Sequence, residues 1–468
     1  MSICHNRSKC RCFFAFLPHF SSALRLKETS SCDTINTDFL TLSGDELELE
    51  KPCIKNILLR IKKYVFTFVK WIIVAGVSGL SGGLVGWVFH TSIEYATAFR
   101  ESHPYIIWFL PVGGIVIAAV YKLFKLGHTG TNKIIDSVRS SEKVPFLLAP
   151  AIFISTVITH LFGGSAGREG AALQLGGTIG KYLSKFFRLG EKDVPIAVMC
   201  GMSAVFSALF GTPMTAAIFA IEVISIGIMH YAALIPCLVS SLAAYGVSAL
   251  LGSHPVSYQL ALIPELSWQI VLQSAAIGAV SAIAGIIFCV MLHKGEFLLE
   301  KFIKNTFLRA AVGGLVIVLL GTLIGTQDYF GAGSQIIEKA ICTGVARPEA
   351  FALKILFTVL TICSGYKGGE IVPTFFIGST LGSTVSSFIG LNKGFGASLG
   401  LVSMFCAVVN CPIASIILSI ELFGTSQIIP YVTSCAVSYM LSGYFGLYTS
   451  QKIVYSKLSA KYVNADVK

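Results

Sequence analysis

The sequence predicts an all-α, multi-pass integral membrane protein whose helices are broken inside the membrane, and three observations carry that prediction. The 468 residues are 54% hydrophobic and only 13% charged, with a mean hydropathy of +0.76, outside the range of ordinary soluble chains. Apolar runs close to or above the roughly 18 to 20 residues that a helix needs to cross hydrocarbon recur along the chain. Glycine-rich stretches with a carboxylate interrupt the apolar sequence at "GGSAGREGAALQLGG", 163–177, and "GYKGGEIVP", 365–373.

In chain order, residues 1–60 read as a polar, cytoplasmic N-terminal segment. Lys51, Lys55, Arg60, Lys62, Lys63 and Lys70 precede the first long apolar run, and an excess of positive charge beside a span places that side in the cytoplasm. The stretch "FFAFLPHFSSALR", 13–25, resembles a short signal core, but about 35 polar residues follow before the first span, so a retained tail is expected. Cys4, Cys10, Cys12, Cys32 and Cys53 fit no paired zinc spacing. Cys200, Cys237, Cys289, Cys363, Cys406, Cys411 and Cys435 lie in apolar runs, where cysteine packs as a small hydrophobe. No metal or cofactor is expected.

Apolar runs follow at 71–93, 104–121, 144–167, 195–221, 223–264, 266–293, 310–327, 371–392, 394–420 and 422–451. Several could hold two passes, which predicts at least ten membrane-embedded helices. The formal net charge of +11 is scattered through short connections without interleaved aromatics, which argues against a nucleic-acid partner. Lys452, Lys457, Lys461 and Lys468 place a short C-terminal tail, 453–468, in the cytoplasm as well. The expected location is the cell (inner) membrane, with lipid as partner.

The runs form two halves, 61–260 and 261–452. In "GTPMTAAIFAIEVIS", 211–225, and "NCPIASIILSIELFG", 410–424, a proline is followed nine residues later by a glutamate: Pro213 to Glu222 and Pro412 to Glu421. Glu169 precedes the first proline by 44 residues and Glu370 the second by 42. Corresponding interruptions in two halves are the sequence sign of a transporter with internal repeats. The comparison leaves open whether the halves run parallel or inverted. Glu222 and Glu421, each ending an apolar helix, read as capping or solvated carboxylates rather than proton relays.

A helix can stop inside lipid only where its amides face protein, water or a ligand. Gly163, Gly164, Gly167 and Gly170 permit such a break, as do Gly365, Gly368 and Gly369 ahead of Pro373. Each new helix start aims free N–H groups and the positive end of its dipole at one point. Two such starts meeting would hold a small anion weakly enough to release it. Glu169 at that mouth competes with the anion: ionised, it occupies the site; protonated, it swings away carrying a proton. The structural alternative, a salt bridge to Arg168, is disfavoured because adjacent helical residues point in different directions.

These motifs, with the two proline-to-glutamate stretches, resemble the CLC family of chloride channels and proton-coupled anion exchangers, and the likeness covers most of 62–458. It implies an inverted repeat, a homodimer and one pore in each subunit. It also implies that Glu169 is the gate and proton carrier, and that Thr131, Arg168, Gly170, the amides of Glu370 and Ile371 and the hydroxyl of Tyr448 bind the anion. The family serine is matched by Thr131 or Thr129 in "GHTGTNKII", 127–135. Ala171 stands for the family's proline, Ile371 for its phenylalanine, Glu370 for an apolar residue and Val223 for an inner glutamate. These departures resemble the fluoride-exporting branch, and Thr131, Asn132 and Glu370 add the donors and polarity that a small hydrated anion needs.

The expected function is therefore exchange of a halide, fluoride before chloride, for protons, without an enzymatic activity. A passive voltage- or proton-gated chloride channel of the same family is the alternative. A reading from another class takes "GGSAG" as a nucleophile string, with Ser165 attacking and His160 or His90 as base in an intramembrane serine protease. That reading leaves the second half without a role.

Overall fold

The computed structural model describes residues 54–468 apart from 128, 141, 254 and 460. The leader cysteines, the 13–25 stretch and most of the 1–60 segment lie outside the described residues. Residues 1–65 and 66–468 form separate units, and of the first only the opening turns of one long helix are described.

The first set of helices comprises α1 (Ile54–Ser102), α2 (Leu110–Leu123), α3 (Thr131–Arg139), α4 (Leu148–Leu161), α5 (Glu169–Phe186), α6 (Val194–Phe210), α7 (Pro213–Glu222) and α8 (Leu234–Leu250). The second comprises α9 (Trp268–Phe302), α10 (Thr306–Ile324), α11 (Ser334–Cys342), α12 (Ala350–Cys363), α13 (Ile371–Ile389), α14 (Lys393–Val409), α15 (Pro412–Phe423) and α16 (Ile428–Leu441). Member by member they correspond: α3 and α11 have 9 residues, α4 and α12 have 14, α6 and α14 have 17. By length and composition, six helices among the described residues could cross a membrane, and seven more apolar helices have 10 to 17 residues. The long apolar runs are thus divided, and the short helices reach only part of the way through hydrocarbon.

Local chemistry sets the divisions. After α6 the chain turns through Gly211 at φ 67, and after α14 through Asn410 at φ 59, the left-handed conformation that ends helices and that Gly and Asn tolerate best. Two residues on, Pro213 and Pro412 open α7 and α15, where a missing N–H costs nothing. α5 packs on α6, and α13 on α14, across glycines: a Cβ on Gly176 would run into the Gly201 carbonyl, and one on Gly400 into the Gly378 carbonyl. Such close crossings give membrane helices their contact where no hydrophobic drive exists between them. Leu80, Leu84 and Val88, one face of α1, are apolar and at least 41% exposed, as expected of a surface solvated by lipid.

The repeats run inverted, and the two proline-to-glutamate helices make this visible. Glu222, ending α7, accepts hydrogen bonds from the first-turn amides of α15, Ile413 N at 3.2 Å and Ala414 N at 2.8 Å. Glu421, near the end of α15, accepts from the first-turn amides of α7, Met214 N at 2.9 Å and Thr215 N at 2.8 Å. Each helix therefore ends beside the other's start, and each carboxylate answers amides that have no carbonyl one turn earlier. Both carboxylates are caps rather than free acids. Glu222→Ala is expected to lower stability by about 1 to 3 kcal/mol, because buried donors lose their acceptor. The drop should be read as a lower Tm in detergent, with Glu191→Ala, at an exposed position, as the unchanged control.

Among the described residues the helices carry one small sheet. Strand β1 (Ser225–Ile226) follows α7, and β2 (Lys452–Tyr455) and β3 (Tyr462–Asp466) follow α16. β1 pairs parallel to β2, and β2 antiparallel to β3. The segment expected to be a tail is thereby laid against the helices: Lys457 Nζ donates to the Tyr439 carbonyl at 3.1 Å, to Ser442 Oγ at 2.9 Å and to Asn410 Oδ1.

Candidate functional site

The two glycine-rich interruptions meet. Gly167, just before α5, and Gly369, just before α13, form an isolated antiparallel bridge, with Gly167 N donating to the Gly369 carbonyl at 2.6 Å and Gly369 N to the Gly167 carbonyl at 2.8 Å. This contact brings two helix starts 202 residues apart in sequence to one point. It also explains the glycines: a Cβ on Gly369 would sit 2.6 Å from Gly170 N and 2.7 Å from Glu169 N, and one on Gly167 would strike the Glu169 carboxylate.

Glu169 is the first residue of α5 and is fully buried. Its Oε2 accepts from Arg168 N at 3.1 Å and from Val372 N, in the first turn of α13, at 3.1 Å. The carboxylate of one repeat thus rests on the helix start of the other, while Oε1 has no hydrogen-bond partner. Glu370, the residue before α13, leans the opposite way: its Oε2, also without a partner, comes 3.3 Å from the point a Gly170 Cβ would occupy. Ile371 opens α13 and is buried.

Tyr448 is 3% exposed and its hydroxyl is unpartnered. Thr131 opens α3; its Oγ1 donates to the Gly170 carbonyl at 3.4 Å and accepts from Gln174 Nε2 at 3.2 Å. Thr129 instead spends its hydroxyl on the Leu126 carbonyl, so of the two threonines it is Thr131 that touches α5. Asn132 turns away, toward Thr449 and Ser450.

The Arg168 guanidinium does not turn back on Glu169. It donates to His90 Nδ1 and, at 3.4 Å, to the Leu209 carbonyl, and it lies over the Phe210 ring. Because Nδ1 of His90 accepts, Nε2 carries the ring proton and donates to Glu94 Oε1 at 3.0 Å. Arg168, His90 and Glu94 line a cavity of about 1050 Å³ that reaches Phe375 and Val372, whose amide holds the Glu169 carboxylate. His90, Glu94 and the Val372 amide were not singled out as parts of this site from sequence. The i, i+4 spacing of His90 and Glu94 is visible there, but their partner lies 78 residues away.

Ser165 is placed differently from a nucleophile. Its Oγ shares a hydrogen bond with Thr358 Oγ1 at 3.1 Å and its N–H donates to Thr361 Oγ1 at 3.1 Å. His160 holds the Thr156 carbonyl through Nδ1, and His90 is taken by Arg168 and Glu94. No base contacts the hydroxyl among the described residues. Ser165→Ala is expected to keep most anion flux in reconstituted vesicles, whereas a serine protease would lose all cleavage.

Two helix starts joined at a glycine bridge, with a buried carboxylate laid across them, are the geometry of this site, and the sequence model of the voltage gated chloride channel family matches residues 113–443. The chain belongs to this CLC family. A chloride/fluoride channel protein of Pseudomonas syringae pathovar tomato is 36% identical over 398 residues, 83% of this chain and 87% of the relative. Among solved structures, a CLC-type fluoride/proton antiporter superposes with a TM-score of 0.79 at 33% identity, covering 82% of this CLC protein and 98% of the other chain. A slow cyanobacterial chloride/proton antiporter shares the fold, with a TM-score of 0.69 at 18% identity over 80% and 94% of the two chains. The CLC protein is thus an integral membrane protein of many passes.

Proposed function

We propose that this CLC protein exchanges a small halide, fluoride in preference to chloride, for protons, with Glu169 as gate and proton carrier. The observation that carries the reading is the Glu169 carboxylate on Val372 N: a negative group of the protein holds an amide of the helix start that a transported anion would use. When an anion arrives, the two compete for the same positive helix end. Protonation removes the charge from Glu169 and the strength of its hold, so that release of the carboxylate and uptake of a proton become one event.

The anion contacts in this reading are the helix-start amides at Gly170, Glu370 and Ile371, with Thr131 Oγ1 and the Tyr448 hydroxyl beside them, and Arg168 supplying positive charge at the mouth. Fluoride binds its water more tightly than chloride does, so its site has to return more hydrogen bonds. The unpartnered hydroxyl of Tyr448 and the carboxyl of Glu370 support a polar site of this kind, as do the fluoride-linked relative and solved structure. In this reading the protein is a homodimer with one pathway per subunit, and both termini face the cytoplasm.

The test is reconstitution into liposomes, with efflux of fluoride, chloride and nitrate compared side by side while internal pH is followed. Fluoride and protons should move in opposite directions, and a proton gradient alone should drive fluoride uphill. Anion uptake down its own gradient with no pH change would replace the exchanger with a passive channel.

A further inference from the structure

The turn that carries Tyr448 is held by a helix whose polar face has no part in the site described above. Along α3, Asn132, Asp136 and Arg139 stand at i, i+4 and i+7, on one face. All three reach the turn at Thr449 and Ser450. Asn132 Nδ2 donates to Thr449 Oγ1 at 3.0 Å, and Asn132 Oδ1 accepts from Ser450 N at 3.2 Å. Asp136 Oδ2 accepts from Ser450 Oγ at 2.7 Å, and Arg139 Nη1 donates to the Ser450 carbonyl at 2.6 Å. On the other side of the tyrosine, Leu447 N donates to the Val408 carbonyl at the end of α14, at 2.8 Å.

The same short helix is seated on the gate. Ile134, Ile135 and Val138 are buried, α3 packs on α5 and α6, and Thr131 at its first position donates to the Gly170 carbonyl. One element of 9 residues therefore touches the helix that carries Glu169 and grips the turn that carries the Tyr448 hydroxyl. A phenol on a turn has the freedom of its backbone unless something removes it. Here hydrogen bonds, one of them to a carboxylate and one from a guanidinium, remove it at the two residues that follow.

We propose that Asn132, Asp136 and Arg139 are positioning residues that latch the Tyr448 turn to α3, setting where the tyrosine hydroxyl meets the anion and so how tightly the path closes beside it. They touch neither anion nor proton. Their effect is exerted through Tyr448, and it deepens the exchange reading by naming what holds the tyrosine's anion contact in register.

The experiment measures two ratios in liposomes: discrimination among fluoride, chloride and nitrate, and anions moved per proton. Asp136→Ala and Ser450→Ala should each lower discrimination and raise anions per proton, by about tenfold for the carboxylate and less for the hydroxyl. Asp136→Asn, whose amide oxygen still accepts from Ser450 Oγ, should stay near the wild type. In a Tyr448→Phe background, Asp136→Ala should add nothing, because the group it positions is gone. Ser450→Ala leaves the backbone contacts of the turn intact, and so tests the latch even if Asp136→Ala fails to fold. The latch is overturned if Ser450→Ala matches the wild type, or if Asp136→Ala either keeps both ratios or adds its full effect on top of Tyr448→Phe. Should the wild type move anions without protons, the exchange reading falls, and discrimination among anions still decides the latch.

Discussion

Glu169→Gln protein in liposomes is expected to move no protons while still passing anions. Glutamine keeps the length of the side chain and an amide oxygen that accepts from Arg168 N and Val372 N, as Glu169 Oε2 does at 3.1 Å in each case. It cannot take up or release a proton. The substitution thus removes one property and preserves the shape, which separates a carrier of protons from a packing residue. The measurement is internal pH under an imposed fluoride gradient: the wild type should shift it and the variant should leave it flat. A pH change of wild-type size in the variant would mean that protons travel by a route without Glu169.

Gly369→Ala is expected to produce a large loss of transport from a single added methyl. The new Cβ would lie 2.6 Å from Gly170 N, 2.7 Å from Glu169 N and 2.8 Å from Glu169 Oε2. Two of these are backbone atoms of a helix start and cannot rotate away, so the first turn of α5 has to retreat from the start of α13. Overpacking of this kind costs about 1 to 3 kcal/mol, and the mutual hydrogen bonds of Gly167 and Gly369 are stretched in addition. If most of that falls on the filled, conducting arrangement, flux drops by about one to two orders of magnitude. The comparison is Gly246→Ala in α8, where an added Cβ meets nothing within 4 Å and flux should be unchanged. A Gly369→Ala protein with wild-type flux would show that the two helix starts need not stay joined.

Much of this architecture could be read from residues alone because it is written in local chemistry. Glycines ahead of Glu169 and ahead of Glu370 mark broken helices, since lipid leaves a stopped helix few other reasons to exist. Proline nine residues before Glu222 and before Glu421 marks a repeated helix whose start needs no N–H. Of the candidate site, the helix starts at Glu169, Gly170, Glu370 and Ile371 are legible in the same way, and Thr131 reaches the Gly170 carbonyl.

The partners of these groups were not legible. Nothing near Glu222 in sequence points to Ile413 and Ala414, 191 and 192 residues on, and a carboxylate ending an apolar helix reads equally well as solvated. Arg168 is read from sequence as pointing away from Glu169, but nothing near it in sequence names His90 and the Leu209 carbonyl, which take its guanidinium. The stripe of Asn132, Asp136 and Arg139 looks like an ordinary wet helix face until Thr449 and Ser450 are laid on it.

By itself the sequence determined where helices break, which groups stand at the breaks and that the pattern occurs twice, because backbone conformation and solubility in lipid depend on each residue and its near neighbours. Only the tertiary structure decided that the repeats oppose one another, that Glu169 rests on the amide of Val372, and that Tyr448 is reached through α3. Those facts depend on which helix end arrives beside which, and that follows from the packing of all the helices at once, across glycine crossings whose angles no single segment encodes.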